Sequence, residues 1–162
     1  MIYSYKGQTY PSYIKTGNAV NHIEILAKQF CKGKGLDIGG FLEWTLPGAI
    51  PINIKDNLLE FDAMNLPGEK VDYIFSSHCL EHLENPIDAL EYWKSKLKDH
   101  GVVFLYLPHP EMEYWLPQNN KKHLHSWYPY DMQKIFTDLG FNDVLFSERD
   151  LYWSFSVVGF KR

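Results

Sequence analysis

A short apolar run that ends in paired glycines, Leu36-Asp37-Ile38-Gly39-Gly40, constrains this chain more than any other feature. Such a run makes a buried strand, and glycines directly after it let the backbone turn or approach another group with no β-carbon in the way. Further strand-like runs follow at residues 50–54, 71–76 and 102–107, and two more at 142–146 and 153–160. Helical periodicity fills the intervals. After the cap candidates Thr16-Gly17-Asn18, residues 19–31 put Val20, Ile23, Leu26, Ala27 and Phe30 on one face. Residues 86–98 start at Pro86, which suits a first turn, and turn Ile87, Leu90, Trp93 and Leu97 inward. Residues 130–139 form a helix closed by Gly140. A shorter helix is expected around residues 78–83. Residues 1–17 read as an irregular lead-in and residues 108–127 as a long connection.

Strands alternating with helices predict an α/β fold: a Rossmann-like, doubly wound, mostly parallel sheet covered on both faces. The last two strands have no helix between them. A short connection joins only antiparallel neighbours, so one C-terminal strand should run against the rest. In such open sheets a ligand lies outside the carboxyl ends of the strands, beside the first one. That rule places Asp37, Gly39, Gly40, Asn53, Asp62, Ser76, Ser77 and Pro108 around one crevice.

Composition narrows the classes. The 162 residues suit a single domain, expected to comprise residues 18–162 behind an aromatic-rich lead-in or lid at 1–17. A net charge of -4 argues against a nucleic-acid partner, which needs a basic surface. The most apolar stretch, residues 102–107, is far too short to span a bilayer. Two cysteines without CxxC spacing and no apolar leader point to a cytoplasmic protein. Aromatic residues reach 16% and cluster at Tyr3, Tyr5, Tyr10 and Tyr13 and again at Tyr114, Trp115, Trp127, Tyr128 and Tyr130. Two readings stay open: they fill a small core, or they wall a substrate pocket.

Leu36-Asp37-Ile38-Gly39-Gly40, Phe61-Asp62-Ala63, residues 71–83 with Ser76-Ser77-His78-Cys79-Leu80-Glu81-His82-Leu83, and residues 101–108 ending in Pro108 come in a telling order. The series resembles the class I S-adenosylmethionine-dependent methyltransferases, and within them the small group called methyltransferase type 11. His123-Leu124-His125-Ser126-Trp127 and Leu139-Gly140-Phe141 also look like that group, so the resemblance covers about residues 18–160. It implies a seven-stranded-type sheet, S-adenosylmethionine as cofactor and a small-molecule methyl acceptor, sugar-like or lipid-linked among the options. It also implies cofactor-binding roles. Asp37, Gly39 and Gly40 would receive the amino acid part, Asn53 would stand where the family's ribose acid stands, Asp62 and Ala63 would meet the adenine edge, and Ser77 and His78 would floor the methionine pocket. No metal ligand is implied. For a hydroxyl acceptor a general base helps, and His82 or His125 is expected to serve, with His78 and His109 behind them.

Three positions depart from the family. Phe41 and Glu43 occupy the second and third glycine positions of the loop, and Asn53 replaces a carboxylate. Asparagine both accepts and donates, but loses charge-assisted pairing to two hydroxyls. Little room remains between Gly40 and Ile50 for the helix that normally follows. These departures keep open a second class, a non-catalytic methyltransferase-like binding domain. A third, less favoured reading comes from His78-Cys79-Leu80-Glu81-His82, which matches the H-x-x-E-H zinc-hydrolase pattern. That chemistry needs both histidines on one face of a long helix.

Overall fold

The computed structural model describes residues 2–53 and 61–162. A hairpin of β1 (Ile2–Tyr5) and β2 (Gln8–Pro11) leads into a short helix, α1 (Tyr13–Thr16), and a longer one, α2 (Val20–Phe30). Then come β3 (Gly35–Ile38), β4 (Ile50–Ile52), β5 (Val71–Ser77), α3 (Pro86–Lys96), β6 (Leu97–Pro108), α4 (Pro129–Asp138), β7 (Asn142–Phe146) and β8 (Ser154–Phe160). Apart from the hairpin, the strands form a six-stranded sheet in the order β4-β3-β5-β6-β8-β7. β4, β3, β5 and β6 are mutually parallel. β8 runs antiparallel to both its neighbours, β6 and β7. The expected architecture is present, with six strands in the main sheet among the described residues where the family resemblance implied seven.

Each face of the sheet has its own core, and period-two alternation assigns the residues. Val103, Leu105 and Leu107 of β6 join Leu90 and Trp93 of α3 and Met132 and Phe136 of α4 on one face. Val102, Phe104 and Tyr106 join Val20, Ile23 and Ala27 of α2 on the other. A strand buried on both faces reads as an unbroken apolar run, which is why residues 102–107 stand out in the sequence. Trp93 is fully buried, and its indole N–H donates to the Ala63 carbonyl at 2.7 Å, tying the segment after β4 to α3. Gly140, at φ 73, ends α4 as expected.

Several local expectations are corrected. The lead-in is a hairpin, because Lys6 and Gly7 both adopt positive φ (47 and 81) and close a two-residue turn. Lysine is a poor advertisement for that conformation, so the turn is hard to see in sequence. α2 begins without a side-chain cap: Ala19 precedes it, and Asn18 sits at φ 64. Residues 78–83 form no α-helix. His78 at φ 48 breaks the chain direction after β5, and only a single 3-10 turn, Leu80–His82, follows. α3 stops at Lys96, short of the expected residue 98, because β6 starts at Leu97 and runs through residues 99–101. The reading of Ile54 as strand lies outside the described residues.

The hairpin and the 109–128 connection share a third, smaller core of Tyr10, Ile14, Met112 and Trp115. Tyr3 and Tyr5 meet Tyr114 edge-on at 5.9 and 5.5 Å, and Tyr10 meets Trp153 at 4.8 Å. The two aromatic clusters therefore pack on each other. Among the described residues no helix is long and apolar enough to cross a membrane.

Candidate active site

The carboxyl end of β3 is built around Asp37, whose residue is 1% exposed. Its Oδ2 accepts the Leu46 N–H at 2.6 Å, while its Oδ1 is buried with no hydrogen-bond partner. Burial pushes this carboxyl up to about 7, and the Leu46 N–H only partly offsets the rise. Gly40 passes so close that a β-carbon there would lie 2.7 Å from the Asp37 carboxyl carbon. Gly39 takes φ +96, and a β-carbon on it would meet the Cys79 side chain at 2.7 Å. The glycines thus serve close packing of this chain on itself, with Cys79 at one and Asp37 at the other. Phe41 is half-buried in extended backbone, and its carbonyl accepts the Trp44 N–H at 2.9 Å. The turn Leu42–Trp44 replaces the family's helix, and Glu43 is exposed.

Asn53, at the end of β4, turns its amide toward this loop, and Nδ2 donates to the Gly39 carbonyl at 3.1 Å. A carboxylate in that position cannot donate, so asparagine adds a strut that the family's acid lacks. Asp62 closes its own turn: its backbone pairs with Asn65, and Oδ1 accepts the Met64 N–H at 2.7 Å. The carbonyl of Ala63 is held by Trp93. Together these bonds present residues 61–66 rigidly beside α3.

At the end of β5, Ser76 faces inward and donates to the Ile38 carbonyl at 2.9 Å, while the Ser77 hydroxyl is buried without a partner. His78 follows, with Nε2 2.9 Å from the Ser154 hydroxyl and its ring 4.8 Å from that of Trp115. Burial, with His123 and His82 nearby, pulls its pKa down to about 3, so this imidazole is neutral at physiological pH. Ser154 also lies 3.2 Å from the Tyr13 hydroxyl, which donates to the Tyr152 carbonyl. Tyr106 donates to Asp150 at 2.5 Å, and Asp150 in turn holds the N–H groups of Tyr152 and Ser154.

Beyond His78 the chain buries Glu81 completely, and neither carboxylate oxygen has a hydrogen-bond partner. Burial lifts its pKa to about 8. His78 Nδ1 and His82 Nε2 stand 3.8 and 3.7 Å from Glu81 Oε1. His82 Nδ1 lies 2.6 Å from the Lys122 carbonyl, and the ring meets His123 edge-on at 4.7 Å. Desolvation lowers the pKa of His82 and brings His123 down to about 4. His125 bonds the Leu83 carbonyl through Nε2 at 2.9 Å and stacks on Trp127.

Of the histidines singled out in the sequence, His78, His82 and His123 gather around Glu81, and His125 is linked to them through Leu83. His109 instead packs edge-on to Tyr128 and Phe155. His78 and His82 do not share a helical face, so the geometry that H-x-x-E-H gives in zinc hydrolases is not formed. Sequence reasoning passed over Ser154, which meets both His78 and Tyr13 only through the fold. It also passed over Glu81 as a buried acid, although the residue was present in the H-x-x-E-H motif.

A methyltransferase-domain family profile matches residues 15–161, and the chain belongs to that family. No curated protein matches it. Solved structures do. A methyltransferase dependent on S-adenosylmethionine from Archaeoglobus fulgidus is 19% identical, with 93% of this chain and 100% of that one covered and a TM-score of 0.66. A second from Thermotoga maritima is 15% identical over 93% and 97% of the two chains, with a TM-score of 0.70. The plantazolicin methyltransferase, solved with S-adenosylhomocysteine, is 15% identical over 93% and 85%, with a TM-score of 0.61. The fold is that of the class I methyltransferases, and the cofactor that family and neighbours indicate is S-adenosylmethionine.

Proposed function

We propose that this chain transfers a methyl group from S-adenosylmethionine to a small-molecule acceptor, with the cofactor at the carboxyl ends of β3, β4 and β5. The observation that carries this reading is the half-satisfied Asp37 carboxylate at the end of β3, with one buried oxygen lacking a partner. A buried polar atom left unpaired is destabilising, and a ligand ammonium group would satisfy it. The unpartnered Ser77 hydroxyl at the end of β5 is a second polar atom suited to the same ligand. The residues present fit the cofactor in these respects.

When bound, the cofactor supplies a methyl carbon already activated by a cationic sulfur. The chain's part is binding and alignment, which can provide most of the acceleration for an in-line displacement. Asp37 takes the ammonium, with Gly39 and Gly40 shaping the loop. Asn53 accepts or donates to the ribose, Asp62 and the Ala63 backbone border the adenine, and Ser77 and His78 floor the methionine pocket. For a hydroxyl acceptor, His125 is the favoured base. Its Nε2 donates to the Leu83 carbonyl, so the neutral ring keeps its lone pair on Nδ1. His82 is the alternative, with its Nδ1 engaged by Lys122. The packed aromatics of the hairpin and of the 109–128 connection suit a ring-bearing, sugar-like or lipid-linked acceptor. The free thiols of Cys31 and Cys79 suit a reducing, cytoplasmic setting.

One observation favours a second reading, a non-catalytic binding domain. The loop after β3 is closed on itself through Asn53, Cys79 and the Leu42–Trp44 turn. Calorimetric titration with S-adenosylmethionine and S-adenosylhomocysteine decides between them. The enzyme reading expects one site, weakened at least about tenfold by Asp37→Ala, the loss of one charge-assisted bond. No heat and no thermal shift at millimolar ligand would leave the non-catalytic domain standing.

A further inference from the structure

We propose that Glu81, His82 and His123 form a binding site for a first-row divalent metal ion beside the cofactor crevice. One candidate ligand atom from each residue lies within 4.8 Å of the others. The spacing alone is a common accident on protein surfaces; the bonding around these atoms is not.

Glu81 is 0% exposed, and both its oxygens lack hydrogen-bond partners. Buried carboxylates are ordinarily paired, hydrogen-bonded or bound to a metal. Among the described residues no lysine or arginine lies within ion-pair distance of it; its only charged-pair candidates are His78 and His82.

His82 is oriented as a ligand. A carbonyl oxygen only accepts, so His82 Nδ1, 2.6 Å from the Lys122 carbonyl, carries a proton. The neutral ring then keeps its lone pair on Nε2, which faces Glu81 Oε1 at 3.7 Å. That is too far for a hydrogen bond, so neither atom satisfies the other. A backbone carbonyl fixing the far nitrogen of an imidazole is the usual support of a metal-bound histidine. His123 adds a third donor: the residue is 6% exposed and its Nδ1 is buried without a partner.

The backbone holds the three together. The Glu81 carbonyl accepts the N–H groups of Leu124 at 2.8 Å and His125 at 3.2 Å, so the strand-like stretch carrying His123 is pinned to the Leu80–His82 turn. With metal–ligand distances of about 2.0–2.1 Å, neighbouring ligand atoms in a tetrahedral site lie about 3.3 Å apart. The proposed ion would draw the three atoms together from their present separations of up to 4.8 Å. Two imidazoles and one carboxylate suit zinc and its first-row neighbours and leave a fourth position open. The sequence pattern H-x-x-E-H therefore marks a metal site after all, but through Glu81 and His82 with His123 from the distant connection, and not through two histidines of one helix. In this arrangement the ion clamps the 109–128 connection to the sheet.

The test uses the full chain, produced without a histidine tag and stripped with chelator. Zinc is titrated by calorimetry, and cobalt(II) by its visible spectrum. The expected result is stoichiometric binding at micromolar metal or tighter, a rise in melting temperature with zinc, and cobalt bands of a nitrogen–oxygen site. Glu81→Gln and His123→Ala should each weaken binding by about tenfold or more, with far-ultraviolet circular dichroism confirming the fold. The conservative Glu81→Gln covers the case in which the alanine variant is unstable. No binding at submillimolar zinc, cobalt or manganese would overturn the proposal. So would binding untouched by both variants, or thiolate charge-transfer bands that assign the metal to Cys31 or Cys79. Every readout is taken without cofactor, so the result is independent of the methyl-transfer reading.

Discussion

Asp37 and Glu81 are the two buried acids among the described residues, and the fold treats them differently. Asp37 ends β3 and keeps one oxygen on a backbone N–H, with glycines drawn tightly around it. Glu81 sits on a turn beyond β5 and has imidazoles for neighbours but no hydrogen bond. The first is an acid half-satisfied by its own loop, with one oxygen left for a ligand. The second has only its neighbouring imidazoles to offset burial among the described residues. An acid held by the loop that it organises can be read from local sequence. An acid completed by residues about forty positions away cannot. Between them lies Cys79, whose side chain fills the space that a β-carbon on Gly39 would take, so the two ends are mechanically joined.

The largest expected effect concerns Asp37. Its folded pKa of about 7 lies above the unfolded value of 3.8, so the fold favours the protonated acid. Its contribution to stability is complete below about pH 4 and is lost as pH rises through about 7, a change of at most about 4 kcal/mol. Asp37→Asn should flatten this slope in denaturant titrations run across that range. A slope equal in variant and wild type would assign the pH dependence elsewhere. Next comes Gly39→Ala, which forces a β-carbon into the positive-φ region and against Cys79. About 1–3 kcal/mol of stability should go, and because Cys79 must move, both cofactor and zinc affinity should fall. If only one falls, the two ends are not coupled as described.

Asn53→Asp sharpens the contrast from the other side. It removes the donor to the Gly39 carbonyl, lowering stability by about 1 kcal/mol, and restores a carboxylate for the ribose. Cofactor affinity should rise while melting temperature drops. The smallest effect is that of His125→Ala. Losing the bond to the Leu83 carbonyl should lower stability by about 0.5–1.5 kcal/mol. Turnover of a hydroxyl acceptor should fall much further, with cofactor affinity unchanged. Equal turnover in variant and wild type would remove His125 from the base role.

Most of the sheet is legible in the sequence because buried strands announce themselves: residues 71–76 are largely apolar, residues 102–107 are apolar on both faces, and Gly140 marks a helix end. The antiparallel strand follows from the short link between residues 146 and 154. What escapes is set by backbone at unusual φ. Lys6, Leu42 and His78 all adopt positive φ, and each ends or redirects an element that residue preferences alone would continue or ignore. Asp37, Gly39 and Gly40 are recognisable as a loop, but the partners of the glycines, Cys79 and the Asp37 carboxyl itself, emerge only in three dimensions. The same holds for Glu81 with His123, and for Ser154 with His78 and Tyr13.

The central claim is that Asp37 anchors the cationic part of the cofactor, and a pH series of S-adenosylhomocysteine titrations tests it most directly. An ammonium group binds the ionised acid, so with a free-protein pKa of about 7 affinity should rise about tenfold between pH 6 and 8. In Asp37→Asn it should be weaker and flat. Affinity that is independent of pH in the wild type, or that rises equally in the variant, would contradict the account.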